Sequence, residues 1–118
     1  MGAERALNDK IRKGPGQYDK SWWDEWIEDS GVVVRLLPDD DDDDPHQRFV
    51  IRLSSGQTLL VAHNIELAER VPVGMGDRIG FRGVYEWNSQ GGVVHWTHRD
   101  PQGGEEEGFI RFRDEIYW

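Results

Sequence analysis

The sequence predicts a small, nearly all-β domain with minor α content, preceded by a helical N-terminal extension. Three observations lead there. Short apolar runs with strand-like patterning recur from Gly31 onward, each bounded by Gly, Ser, Asn or Pro. The one helix-like run within that region, Ile65 to Arg70, is too short to be more than a connection. Clear helical spacing is confined to the start, where Ala6, Leu7 and Ile11 share one side of Ala3–Lys13. The 118 residues suit one domain, so the organisation expected is a helical, Trp-rich extension over residues 1–25 and a β domain over 26–118.

Each element follows from local chemistry. Gly14-Pro15-Gly16 ends the first helix. Ser21, with Asp24 and Glu25 behind it, resembles an N-cap with an acidic first turn. Two readings of the next residues stand side by side: a one- or two-turn helix ending near Ser30-Gly31, or a strand already under way at Trp26-Ile27. Val32–Leu37 is β-branched and reads as the first strand. Pro38, the run Asp39 to Asp44 and Pro45 form a solvated loop, since like charges in a row cannot pack. Gln47, Phe49, Ile51 and Leu53 alternate with Arg48, Val50 and Arg52 in a second strand, and Ser54-Ser55-Gly56 turns it into a third, Gln57–His63. Asn64 caps the short helix Ile65–Arg70.

Gly76-Asp77 then introduces a fourth strand, Arg78–Tyr85, in which Gly80 and Gly83 suggest a bend or bulge. Asn88–Gly92 turns the chain into a fifth strand, Val93–His98. Phe109–Arg113 alternates again, and Ile116–Trp118 ends the chain on aromatics. Five strands with a short helix between the third and fourth is the order of an OB-like β-barrel; another small barrel or a rolled sandwich is the alternative.

Composition narrows the function classes. The absence of Cys excludes disulfides, thiolate metal ligands and Cys nucleophiles. No apolar run approaches a membrane span. Met1-Gly2-Ala3-Glu4-Arg5 has no signal-peptide core, which points to a cytoplasmic chain if the sequence is full-length and to a periplasmic one if it is trimmed. The net charge of −9 falls entirely on residues 26–118, with 18 acidic groups against nine bases, all Arg. Such a body repels nucleic acid at long range; its Arg-only usage has two readings, a suitability for bidentate anion contacts and, the weightier, plain codon bias.

The residues that bear chemistry cluster in Tyr85-Glu86-Trp87-Asn88 and His95-Trp96-Thr97-His98-Arg99-Asp100, on either side of one glycine turn. All four His (His46, His63, His95, His98) lie near strand ends, with Asn64, Asn88 and Asp100 close by. His with carboxylate is the toolkit of a divalent metal or of acid–base catalysis, which makes His63, His95, His98 and Asp100 the candidate metal ligands. His95 and His98 are three apart, so one metal takes both only if the strand bulges or ends between them. The competing role for each ring is structural, donating N–H to a backbone carbonyl. Trp87 and Trp96 either face each other across the hairpin as a cross-strand pair or stack on a base or sugar ring. Trp22, Trp23 and Trp26 are expected to plug an open end of the barrel. Arg48 and Arg52 share one face of the second strand, with Arg82 as a neighbour.

The strings His46-Gln47-Arg48-Phe49, Ala62-His63-Asn64-Ile65, Tyr85-Glu86-Trp87-Asn88 and Gly91-Gly92-Val93-Val94-His95-Trp96-Thr97-His98-Arg99-Asp100-Pro101 resemble those of a family of small bacterial proteins classed as a domain of unknown function. The resemblance runs over roughly residues 31–112. It implies an OB-like fold and a nucleic-acid-binding label, sometimes with export as a lipoprotein; this sequence has no lipobox Cys. The motif residues singled out are His46, His63, Asn64, Glu86, Trp87, Asn88, His95, Trp96, Thr97, His98 and Asp100.

The leading expectation is a non-enzymatic binding module in which these residues line a polar, aromatic pocket for single-stranded nucleic acid, a nucleotide or a sugar, without a cofactor. The second is a hydrolase or nuclease using His95, His98 and Asp100, with His63, around a divalent metal. The third is an interaction domain that docks a basic protein through Asp39–Asp44.

Overall fold

A computed structural model describes residues 16–41 and 43–118. The expected helix Ala3–Lys13 lies outside the described residues, and no helical extension is seen within them. The Ser21 region is a single 3-10 turn, Lys20–Trp22, capped by Asp19 rather than Ser21.

Strand β1 spans Trp26–Asp40, so of the two readings of Trp26-Ile27 the strand is the right one. It is far longer than Val32–Leu37 because it serves two partners. Its first half pairs with β4 (Arg78–Glu86), from Trp26↔Val84 to Val32↔Arg78. Its second half pairs with β2 (His46–Arg52), from Val32↔Arg52 to Asp40↔His46. The chain passes from one neighbour to the other at Val32, and beside it a Cβ on Gly31 would stand 2.9 Å from the Arg52 carbonyl oxygen. Pro38, expected in a loop, lies inside β1. It falls in the irregularity between Leu37 and Asp40, where a missing N–H costs no ladder bond.

β2 pairs antiparallel with β3 (Thr58–Asn64), and β3 runs parallel to β5 (Val93–His95). β5 returns to β4, which returns to β1. The order β1-β2-β3-β5-β4-β1 closes five strands into a ring. β6 (Phe109–Phe112) and β7 (Glu115–Tyr117) extend the sheet from β4. Alternation does the sorting. Ile27 and Val33 of β1, Phe49 and Ile51 of β2, Leu59 and Val61 of β3, Ile79, Phe81 and Tyr85 of β4 and Val94 of β5 all point inward and are essentially inaccessible.

Three local expectations are corrected. Gly80 and Gly83 make no bulge: β4 pairs with β1 without a break, and Gly83 is small because β5 crosses it, a Cβ there standing 2.5 Å from the His95 carbonyl oxygen. Ile65–Arg70 is a turn rather than a helix. Asn64 does cap it, its Oδ1 accepting from the N–H groups of Glu66 and Leu67, but six residues are too few to repay helix nucleation. The fifth strand stops at His95, because Trp96 takes φ 61°.

The tryptophan plug is also different. Tyr18 closes one end of the ring, 6% exposed, held on both sides by Gln57 and bonded to Asp29. Trp22 packs edge-on against Tyr18, while Trp23 is exposed and Trp26 sits on the outer face beneath the Arg82 guanidinium.

Candidate functional site

Inward alternation on β3 places His63 inside the ring, fully buried. Its Nε2–H donates to the Glu69 carbonyl at 2.9 Å, which fixes the tautomer. Its Nδ1 accepts the Thr97 hydroxyl at 2.7 Å. Burial pushes its pKa down to about 4, so the ring is neutral and joins β3 to two loops. Both nitrogens are occupied.

The other predicted residues divide into separate contacts. His95 points outward from β5, with Nε2 2.5 Å from Glu86 Oε2. His98 is buried and donates from Nδ1 to the Arg99 carbonyl at 2.7 Å, its ring stacked on Trp96. His46 donates from Nδ1 to the Asp44 carbonyl. Asp100 accepts from the Gln102 N–H, and Asn88 accepts from the N–H groups of Gln90 and Gly92, which shapes the hairpin turn. Among the described residues no three His, Asp or Glu side chains gather as a metal would require. Trp87 lies beside Trp23 and under the Lys20 ammonium, whereas Trp96 lies on His98, so the two indoles belong to different surfaces. Among the described residues the fold brings together His63 with Thr97, Glu86 with His95, and Trp96 with His98.

A different set converges on the outer face of β1, β2 and β3. Strand register gives its layout. Arg52 and Arg78 are the cross-strand partners of Val32 on its two sides, which sets their Cα atoms about 10 Å apart. One row on, Arg35 pairs with Val50 and Val50 with Leu60. Two adjoining depressions, of about 320 and 340 Å³, share Val34 and Arg52. Val32, Val34, Val50 and Leu60 form an aliphatic floor, and Asn88, Gln90 and Gly92 of the β4–β5 hairpin form one rim. Arg35, Arg52 and Arg78 are exposed, and among the described residues none of these side chains has an ion pair, a hydrogen bond or a ring contact.

The neighbours proposed for Arg52 behave otherwise. Arg48 donates to the Pro38 carbonyl at 3.0 Å. Arg82 lies against Trp26 and bonds Glu106 and the Glu107 carbonyl, so it is fully engaged. Arg35 escaped sequence reasoning because a register shift between Val33 and Arg35 breaks simple alternation. Arg78 escaped because nothing local shows that β4 lies next to β1. Of the aspartate run, Asp39 and Asp40 belong to β1, with Asp39 paired to Arg70; Asp41, Asp43 and Asp44 are exposed and Asp42 lies outside the described residues. Among the described residues no helix is long and apolar enough to cross a membrane.

No curated protein and no solved structure matches this chain. A family model does, over residues 7–118, which takes in every strand of the ring and the arginine groove. The chain therefore belongs to DUF3465, a family of proteins of unknown function.

Proposed function

We propose that this five-stranded ring is an OB-type binding module without catalytic activity, and that it holds a segment of single-stranded nucleic acid across the outer face of β1, β2 and β3. The observation that carries the reading is the trio Arg35, Arg52 and Arg78, three guanidiniums that have no partner among the described residues and stand around one aliphatic floor. Unpaired Arg on a groove is matched to phosphate, which its planar fork can bind in bidentate fashion. Among the described residues that line the groove none is aromatic, so binding rests on backbone charge and guanidinium–base contact and is indifferent to sequence. A flexible single strand can lay a few phosphates into this groove. A duplex brings one charge per about 1.7 Å against a body of net charge −9 and is repelled.

The test is fluorescence anisotropy with a labelled oligothymidylate at several salt concentrations. Three neutralised phosphates predict a slope of log affinity against log salt of about −2, and the double substitution Arg52→Ala/Arg78→Ala brings it to about −0.7. Equal affinity in the wild type and the double variant would show that the strand does not use this face.

A further inference from the structure

Trp96 closes β5 with φ 61°, a left-handed backbone that bulky side chains adopt at an energetic cost. Among the described residues the other non-glycines with positive φ are Asp24, Arg113 and Asp114, polar groups in turns. The fold invests in holding Trp96 this way. β5 and β6 lie one after the other along β4, opposite 84–86 and 80–82, and the Trp96 turn fills the gap between them. Two glycines make room for it. A Cβ on Gly108 would stand 2.1 Å from the Trp96 carbonyl oxygen and 2.7 Å from that of Arg82, and one on Gly83 would stand 2.5 Å from that of His95. The Gly108 N–H donates to the His98 carbonyl at 2.9 Å, and the His98 ring is itself anchored on the Arg99 carbonyl.

The strained turn leaves Trp96 43% exposed, with the His98 imidazole stacked 5.3 Å from its indole at an interplanar angle of 29°. Trp23 is as exposed, but it rests against Trp87 and needs no unusual backbone. An aromatic ring backed on one side and open on the other is a stacking surface. Its surroundings select the ligand. The segment that follows it, residues 97–108, has one base, Arg99, whose guanidinium lies 3.9 Å from the Trp118 ring. The loop that returns to Gly108 carries Asp100, Glu105, Glu106 and Glu107. Four carboxylates against one base make this segment net negative, which disfavours phosphate or sulfate, whereas carboxylates accept from sugar hydroxyls and the C–H face of a pyranose fits an indole.

We propose that Trp96, backed by His98, is a stacking site for a neutral sugar ring, separate from the arginine groove. The test follows tryptophan fluorescence and saturation-transfer NMR with a panel of neutral hexasaccharides derived from β-glucan, chitin, xylan and mannan. At least one saturates the protein in the millimolar range or below. That affinity falls at least tenfold in Trp96→Ala and Trp96→Gly and is unchanged in Arg52→Ala/Arg78→Ala, so its failure is independent of the nucleic-acid reading. Glycine accepts φ 61° without strain, so Trp96→Gly melts no lower than the wild type. No saturation by any member of the panel overturns the proposal. So does tighter binding of a phosphorylated or sulfated counterpart, or a Trp96→Gly protein that melts several degrees lower or fails to fold, which would make the indole a packing residue.

Discussion

The Thr97 hydroxyl donates to Nδ1 of His63 across 2.7 Å of fully buried space, tying the end of β3 to the turn that follows β5. The bond requires a neutral imidazole, because a protonated ring has no lone pair to accept it. Burial holds the folded pKa near 4, while the unfolded chain titrates near the ordinary histidine value of 6.5. The contribution of His63 is therefore complete above about pH 7 and is lost as pH falls through the window from 6.5 to 4, where the unfolded state takes up the proton first. The loss across that window is roughly 3 kcal/mol. Urea midpoints of the wild type and His63→Phe, compared from pH 8 to pH 4, measure it: the difference between the two proteins shrinks on acidification. A difference independent of pH would mean that His63 does not stay neutral in the fold.

Removing the other partner separates the hydrogen bond from the proton. Thr97→Val keeps the shape and leaves Nδ1 buried with nothing to accept, since Nε2 remains committed to the Glu69 carbonyl. Thr97→Val is expected to cost about 1–3 kcal/mol, and Thr97→Ser to recover most of it. Equal midpoints for the valine and serine variants would show that the hydroxyl contributes nothing.

Much of this framework is legible in the sequence, and the limit is a physical one. Alternation along Gln47–Leu53 places Phe49 and Ile51 inside and Arg48, Val50 and Arg52 outside, because a strand's period is set by its own backbone. It also sends Gln47 inward, where its amide bonds both the N–H and the carbonyl of Val71. What local pattern cannot carry is neighbour identity. The groove exists because Val32 has Arg52 on one side and Arg78 on the other, and that depends on ring closure between β1 and β4. Likewise, the histidines at positions 95 and 98 read as one cluster, but Trp96 turns the chain between them, sending one outward to Glu86 and burying the other.

Gln57 organises the opposite end of the ring. Its Oε1 accepts from the Tyr18 N–H at 2.7 Å, and its Nε2 donates to the carbonyls of Tyr18 and Gly91 at 3.0 and 2.7 Å. One side chain thus pins the segment that carries the plug and the β4–β5 hairpin. Gln57→Ala is expected to cost about 2–3 kcal/mol, counting each bond at about 1 kcal/mol. Hydrogen exchange at the Tyr18 amide should accelerate more than exchange at Phe49 or Val61, because the plug opens before the ring does. Uniform acceleration at all three would mean that the plug and the ring unfold as one unit.

The glycines beneath the Trp96 turn provide a test of the ring's closure that does not involve ligands. Gly108 sits where β6 begins, and the added methyl of Gly108→Ala would meet backbone atoms of Trp96, Arg82 and Thr97 within 3 Å. None of these is the end of a flexible side chain, so either the Trp96 turn or the start of β6 must move. Overpacking of this kind typically costs 1–3 kcal/mol, and contact with rigid backbone puts Gly108→Ala at about 2 kcal/mol or more. Gly56→Ala is the control for backbone freedom alone: its φ is 96° with no atom near the new methyl, so it carries conformational strain without collision. Thermal melts of both variants, read with the near-ultraviolet circular dichroism of the tryptophans, separate the two effects. Gly108→Ala should lower the melting temperature and change the Trp signal, whereas Gly56→Ala should lower the melting temperature and leave that signal intact. An unperturbed Trp spectrum in Gly108→Ala would mean that the turn around Trp96 yields at little cost, and the left-handed Trp96 would then reflect a soft loop instead of a held one.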